Sequence, residues 1–317
     1  MKLFANLPSE IREHLVASSR SARVGLPEHE DPRVVEAARL LRAEAGVDAT
    51  LMSPEVVSRV RSQTDSVIRS RANQRGKALP QDHVAWLDDP FFAAGAMLEM
   101  GQLDAVVGGA VATTAHVIRA ALNTVGVDAQ APLITSCFLF KLREPTAGGE
   151  DVVLYADGGV VPQPSQTQLT QIAELSASAF SRWTGREPRV GFLSFSTMGS
   201  AEHPDVHKVR QAASEFSIKH PDVVSEGEVQ FDAAVVPEVA LRKNPASRLA
   251  GRANVFVFPD LDAGNIAYKV TQRLAGAEAW GPLLLGTAKP FSDLSRGASA
   301  IDIAHVALLT LALRPRC

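Results

Sequence analysis

The sequence predicts an α/β fold built on mostly parallel sheet, and three observations carry that prediction. Short Val-rich apolar runs alternate along the chain with longer segments of helical period. The apolar runs are continuous and do not alternate with polar residues, as strands buried on both faces require. The helical segments also carry end punctuation: DPRVVEAARLLRAEAG (31–46) opens on Asp31-Pro32 and closes on Gly46.

Strands are expected at ARVGL (22–26), LDAVVGGA (103–110), PLITSCFLFKL (132–142), DVVLYADGG (151–159), RVGFLSFS (189–196), FDAAVV (231–236), NVFVFPD (254–260) and GPLLLG (281–286). Helices are expected between them at 31–46, 89–101, 114–126, 165–185, 203–216 and 263–276. A nearly all-apolar helix closes the chain within PFSDLSRGASAIDIAHVALLTLAL (290–313). LDAVVGGAVA (103–112) faintly echoes FDAAVVPEVA (231–240), and two similar strands explain this more simply than a duplication. Pro-rich connections near 143–149 and 161–165 are candidate boundaries.

Composition narrows the function classes. At 317 residues the chain can bury a substantial core as one large or two ordinary domains. A net charge of −3 argues against a nucleic-acid or membrane-surface protein, which usually carries a basic field. The two cysteines, Cys137 and Cys317, fit neither a disulfide framework nor a zinc spacing, which points to a reducing compartment. The opening MKLFANLPSEIREHLV lacks the apolar core of a signal peptide. His305 and Asp302 interrupt the most apolar stretch, so no membrane span is expected. The expectation is a cytoplasmic enzyme or binding protein.

Several loops carry candidate chemistry. Ser299-Ala-Ile-Asp302 fits a capping box, so by pattern alone Asp302 reads first as a helix cap. The preceding Ser295-Arg296-Gly297 exceeds what a cap needs: an arginine beside free helix N–H groups makes an anion site, and a nearby carboxylate supplies a base. FLSFSTMGSAEHP (192–204) reads either as a polar connector or as a ligand-lining loop of hydroxyls and N–H groups. In GGAVATTAHVIRAAL (108–122), Gly108 and Gly109 permit close backbone approach, Thr113 and Thr114 cap a helix and Arg119 follows within it. His116 there is a lone histidine, a surface or core residue before a ligand. Asp260, Asp262 and Asn265 stand at a strand end, where open α/β sheets bind ligands. Asp262 reads as a helix cap before a metal ligand, because no third ligand supports a metal, and Cys137 reads as a buried small hydrophobe. Neither GxxxxGK[ST] nor GxGxxG after a strand occurs.

Taken together, long stretches of the chain resemble the phosphate acetyltransferase family, within the phosphate acetyl/butyryltransferase group, from about residue 21 to 313. The most specific are GEVQFDAAVVPEVA (227–240), ANVFVFPDLDAGNIAYKVTQRLAGAEAWGPLLLG (253–286) and KPFSDLSRGASAIDI (289–303). EPRVGFLSFSTMGSAEHPDVHKV (187–209) and DPFFAAGAMLEMGQLDAVVGGAVATTAHVIRAAL (89–122) also fit. The resemblance implies two αβα domains with a cleft between them, in a fold like that of the isocitrate and isopropylmalate dehydrogenases. Domain I is expected to combine 1–130 with 282–317, and domain II to span 131–281.

The resemblance further implies interconversion of acetyl-CoA plus phosphate with acetyl phosphate plus CoA in a ternary complex. In DLSRG–D, the catalytic carboxylate falls on Asp302 and the Ser–Arg pair on Ser295 and Arg296. Arg119 matches a second family arginine, and Arg71 is the choice for a third, with Arg69 and Arg75 as alternatives. Thr113, Thr114 and Asn265 complete the expected substrate-binding set. Ala112, His116 and Asp262 depart from residues common in the family, which bears on acyl selectivity and CoA contacts. No metal or cofactor is expected, coenzyme A being a substrate; a homodimer is. The rivals are a butyryl or other short-chain specificity, a metal- and NAD-dependent hydroxyacid dehydrogenase on the related fold, and a non-catalytic binding protein.

Overall fold

The structure is a computed structural model that describes residues 3–5, 7–131 and 133–314. Cys317 lies outside the described residues. The chain divides into two compact units, one of Met1–Pro132 with Gly281–Cys317 and one of Leu133–Trp280. The first part runs through α1 (Ser9–Ser19), β1 (Arg23–Leu26), α2 (Pro32–Leu40), β2 (Asp48–Leu51), α3 (Pro54–Gln74), α4 (Pro90–Glu99), β3 (Ala105–Val107) and α5 (Thr114–Asn123). It continues through β4 (Thr135–Lys141), β5 (Val152–Ala156), α6 (Gln166–Thr184), β6 (Arg189–Leu193), α7 (Pro204–Lys219), β7 (Val224–Val229), α8 (Phe231–Val235), α9 (Pro237–Lys243), β8 (Val255–Val257), α10 (Leu261–Arg273) and β9 (Glu278–Leu285). It closes with β10 (Phe291–Ser292) and α11 (Ala300–Ala312).

The first unit is a parallel sheet in the order β10-β3-β1-β2. Val24 pairs with Ala49 on one side and Ala105 on the other, and Val106 pairs with Phe291. This register sets the carboxyl ends of β1, β3 and β10 along one edge, so the loops that follow them meet there. The chain leaves β1 toward β2 on one side and reaches β3 on the other. That reversal of strand order is where open α/β sheets place ligands. Helix α11 is buried continuously from Ile303 to Thr310 and packs against α1, α2 and β3. Its all-round burial explains why it is apolar on every face. Its one buried histidine, His305, donates from Nε2 to Leu3 O at 2.5 Å.

The second unit is a six-stranded sheet in the order β7-β6-β8-β5-β4-β9. Strands β7, β6, β8 and β5 are parallel, whereas β4 runs antiparallel to β5, in keeping with a mostly parallel sheet. Its core centres on aromatic rings: Tyr155 lies 4.8 Å from Phe140, 5.5 Å from Phe256 and 5.2 Å from Phe258, centroid to centroid. Cys137 is buried there as a small apolar residue.

Two further expectations change. FDAAVV is not a strand but the short helix α8, because the strand has already been made by the preceding β7 and Ala233 and Ala234 pack as one buried helix face. The echo between 103–112 and 231–240 therefore joins a strand to a helix and carries no structural repeat. The sequence reading also omitted α1, α3, α9, β2, β7 and β10. In α3 the buried Val57, Val60, Thr64 and Ile68 recur at three- and four-residue steps, a helical signal masked by surrounding charge.

Helix α4 is set against α5 at Gly95, where an added Cβ would overlap Thr124 Oγ1. The Thr124 hydroxyl cannot swing aside freely, since it donates to Ala120 O at 2.7 Å. Alanine gains about 1 kcal/mol of helix propensity over glycine, but overpacking costs about 1–3 kcal/mol. Gly95→Ala is expected to be destabilising by up to about 2 kcal/mol in urea unfolding, and a net gain in stability would show that α4 and α5 are not packed this closely.

Candidate active site

Three loops at the carboxyl edge of the first sheet build the site. The loop after β3 holds Gly109 at φ +118°, a conformation that glycine tolerates. A Cβ there would also overlap Asp293 Oδ1, so the position admits no side chain. Thr113 then caps α5, its Oγ1 accepting from His116 N at 3.3 Å. Thr114 points the other way and donates its hydroxyl to Asp293 Oδ2 at 2.5 Å.

The loop after β10 carries Ser295 and Arg296, both exposed. Ser295 Oγ accepts from Gly297 N at 3.3 Å, and Ser295 O accepts from Ala298 N at 2.9 Å, which closes a tight turn. The Arg296 guanidinium makes no hydrogen bond among the described residues. Asp302 sits in the first turn of α11 and completes a capping box: its Oδ2 accepts from Ser299 N at 2.9 Å and Ser299 Oγ at 2.8 Å. Its Oδ1 accepts no hydrogen bond among the described residues. The cap and a free carboxylate oxygen thus coexist on one side chain.

Residues that the sequence reading did not single out tie these loops together. Glu28, two residues beyond β1, receives four consecutive backbone N–H groups: Gly109 and Ala110 donate to Oε2 at 2.9 and 2.8 Å, Val111 and Ala112 to Oε1 at 2.7 and 2.8 Å. Successive N–H groups of this kind form an anion-binding concavity, and here the chain fills it with its own carboxylate. Arg33, in the first turn of α2, donates to Arg296 O at 2.7 Å, Ala298 O at 3.1 Å and Ala110 O at 3.0 Å. It is held in turn by Asp31, whose oxygens accept at 3.0 and 2.7 Å. The signal for both was the strand-end position of GLPEHEDPR, which periodicity alone does not reveal.

Asp293 is fully buried beneath these loops. Burial pushes its carboxyl up to about 6, against the Thr114 hydroxyl, the Leu294 N–H and the Arg296 charge, all of which favour the ionised form; nearby Glu28 adds to the rise.

The remaining expected residues separate into groups. Arg119 is exposed on α5 and its guanidinium has no partner among the described residues. Arg71 donates to Thr124 O at 2.9 Å, to Gln74 Oε1 at 3.0 Å and to Glu99 Oε1 at 3.2 Å. That places it at the far end of the ten-residue α5, about 15 Å from Thr113 at 1.5 Å per residue, so Arg71 is not gathered with the loops above. Arg75 bonds Leu122 O at that same end, and Arg69 pairs with Asp65. His116 pairs with Asp89 at 3.1 Å, a local contact between α5 and the start of α4.

In the second unit, the hydroxyls of the 192–204 loop turn inward. Ser196 donates to Glu228 at 3.0 Å and Thr197 to Gln230 at 3.2 Å, with Gly199 N donating to Glu228 at 2.7 Å. Arg210 completes the set at 2.9 Å, and Glu228, though fully buried, is held down to about 2: burial raises it, but these donors outweigh burial. These hydroxyls are spent on holding the connector folded. Asp260, not Asp262, caps α10, accepting from Ala263 N at 2.9 Å. Asn265 donates to Gly158 O at 2.9 Å and accepts from Lys269. Among the described residues no three His, Cys, Asp or Glu gather as a metal-binding group, and no helix is long and apolar enough to cross a membrane.

An exposed guanidinium beside an exposed hydroxyl at a sheet's switch point, followed six residues on by a carboxylate, is an arrangement of an α/β protein that can place an anion site near a base. Residues 9–311 match the model of the phosphate acetyl/butaryl transferase family. The chain belongs to that family. It is 42% identical over 310 residues to a phosphate acetyltransferase of Paracoccus denitrificans, covering 94% of this chain and 97% of that one. A solved phosphotransacetylase from Streptococcus pyogenes superposes with a TM-score of 0.85 at 33% identity, covering 95% of this chain and 97% of that one. A putative 4-hydroxythreonine-4-phosphate dehydrogenase from Salmonella typhimurium shows a likeness of fold alone, with a TM-score of 0.52 at 9% identity, covering 93% of this chain and 99% of that one.

The buried Asp293 gives a pH-dependent expectation. Its folded value, about 6, lies above the ordinary 3.8. The native state therefore holds the proton more tightly than the unfolded chain, and stability from this group is full below about pH 4 and lost as pH rises through 6. At 1.36 kcal/mol per unit the swing is about 3 kcal/mol. Relative to the parent, Asp293→Asn should be more stable by about 2–3 kcal/mol at pH 7.5 than at pH 4.5 in denaturant melts; a difference that ignores pH would mean that Asp293 is not desolvated.

Proposed function

We propose that this protein transfers an acetyl group between coenzyme A and phosphate, interconverting acetyl-CoA plus phosphate with acetyl phosphate plus CoA. The observation that carries the reading is the exposed Ser295-Arg296 turn leading into Asp302, inside a family match that runs from residue 9 to 311. The curated relative from Paracoccus denitrificans, named a phosphate acetyltransferase, supports the acetyl branch.

The chemistry requires a thiolate, because a free thiol near pKa 8.5 is mostly protonated at neutral pH. Asp302 accepts the CoA thiol proton, and Oδ1 is the atom for it because Oδ2 serves Ser299. The thiolate attacks the carbonyl carbon of acetyl phosphate, the carbonyl electrons shift to oxygen, and the C–O bond to phosphate breaks as the C–S bond is completed. Ser295 donates a hydrogen bond to that developing oxyanion. Arg296 grips the departing phosphate with its planar fork of donors. The reverse direction uses the same groups with phosphate attacking acetyl-CoA. Both substrates meet directly, so positioning supplies much of the rate.

Arg119 is proposed to bind phosphate or CoA from the middle of α5, with Thr113 at that helix's N-cap. Thr114 contributes through the Asp293 carboxyl that it holds. Arg71 is proposed for the remote nucleotide end of the long CoA molecule, in keeping with its distance from the loops, and Asn265 for substrate contact at the head of α10. The family resemblance supports a homodimer in the cytoplasm that needs no cofactor, and the net charge of −3 supports a partner set without nucleic acid or membrane.

The test is thiol release from acetyl-CoA with and without phosphate. Release that depends on phosphate and yields acetyl phosphate is expected; release indifferent to phosphate would mean a thioesterase. Asp302→Asn keeps the helix cap and is expected to lose about 10²–10⁴ in kcat with an unchanged melting temperature. Ser295→Ala is expected to lose about 10²–10³.

A further inference from the structure

We propose that Glu28 and Arg33 form a rigid frame that presets the phosphate-binding geometry, acting as positioning residues through the two loops that they join. The inference rests on the reading that Arg296 receives phosphate.

The geometry leaves neither residue spare capacity. A guanidinium has five N–H donors, and Arg33 spends all five: Nε and one Nη2 hydrogen on Asp31, the other Nη2 hydrogen on Ala110 O, and both Nη1 hydrogens on Arg296 O and Ala298 O. The group thereby staples the head of α2 to the loop after β3 and to the turn after β10. One of its acceptors is the carbonyl of Arg296 itself, so the backbone from which the candidate phosphate-binding side chain projects is fixed from behind. Lysine cannot reproduce this, being a point charge with three donors and no planar fork.

Glu28 complements the staple on the other side of the same loop. Its carboxylate accepts at both oxygens, two N–H groups each, from Gly109 through Ala112. A carboxylate is required, because a glutamine amide would turn an N–H₂ group against two N–H donors. The loop so fixed runs directly into Thr113 and Thr114, and Thr114 reaches the Asp293 carboxyl below the Ser295-Arg296 turn. Because Glu28 consumes four successive N–H groups, the loop's backbone is not the anion receptor. Recognition falls to side chains, whose placement depends on the frame.

The frame predicts a distinct kinetic pattern. Glu28→Gln and Arg33→Lys are each expected to raise KM for phosphate at least tenfold while KM for acetyl-CoA moves less than twofold. The double variant should fall close to the worse single one, since both act through one connected network. A merely structural role would lower kcat in proportion to the folded fraction and leave KM for phosphate unchanged; that result overturns the inference. Hydrogen exchange supplies a readout independent of turnover: amides 109–112 should exchange at least tenfold faster in Glu28→Gln, and the Gly297 and Ala298 amides faster in Arg33→Lys. Unaltered exchange in both loops overturns the inference as well. Failure of the functional reading is seen separately, as absence of phosphate-dependent transfer in the parent protein, and the exchange measurement then decides whether the frame exists.

Discussion

The first unit depends on the guanidinium of Arg33. Parallel pairing of β1, β3 and β10 delivers three chain segments to one edge of the sheet, but a sheet does not fix the loops that leave it. One planar group with donors at fixed angles reaches Asp31, Ala110, Arg296 and Ala298 at once. Every acceptor among these apart from Asp31 is a backbone carbonyl, so the staple constrains main chain directly. Glu28 does the converse with main-chain N–H groups. Together the two side chains stand in for the secondary structure that these loops lack.

Two of the buried carboxyls show how donor number decides the fate of a buried charge. Asp293 and Glu228 are both fully buried. Glu228 receives Arg210 and the N–H and hydroxyl donors of its loop, and is held at about 2. Asp293 has the Thr114 hydroxyl, the Leu294 N–H and the charge of Arg296, which do not offset its desolvation, and it rises to about 6. The first is a structural anchor that spends the hydroxyls of a Ser/Thr-rich loop. The second lies beneath the turn that carries Ser295 and Arg296, where a carboxyl near neutrality affects the charge those residues feel.

This contrast also explains why polar loops with similar composition play different parts. FLSFSTMGSAEHP and PFSDLSRGASAID each offer hydroxyls after an apolar run. In the former the buried Glu228 carboxylate on the neighbouring strand draws Ser196 inward, and the Gln230 amide oxygen takes the Thr197 hydroxyl. In the latter the turn closes on itself, and Ser295 and Arg296 stay exposed. Membership in the phosphate acetyl/butaryl transferase family gives the exposed pair its chemical meaning.

Apolar runs and helix punctuation are local signals, and by themselves they determined the α/β class and most long helices, while the DLSRG–D stretch made Ser295, Arg296 and Asp302 the candidate set. Asp302 was legible because a capping box and a motif carboxylate occupy one position in sequence. Tertiary structure alone decided that FDAAVV is helical, that β4 runs antiparallel, that Arg71 stands at the far end of α5, and that Glu28, Arg33 and Asp293 contact the candidate loops. The physical reason is separation along the chain: Arg33 and Arg296 are 263 residues apart, Thr114 and Asp293 are 179 apart, and no local periodicity encodes a contact of that length. Only sheet register, which sets which strand ends lie side by side, brings such residues within a hydrogen bond of one another.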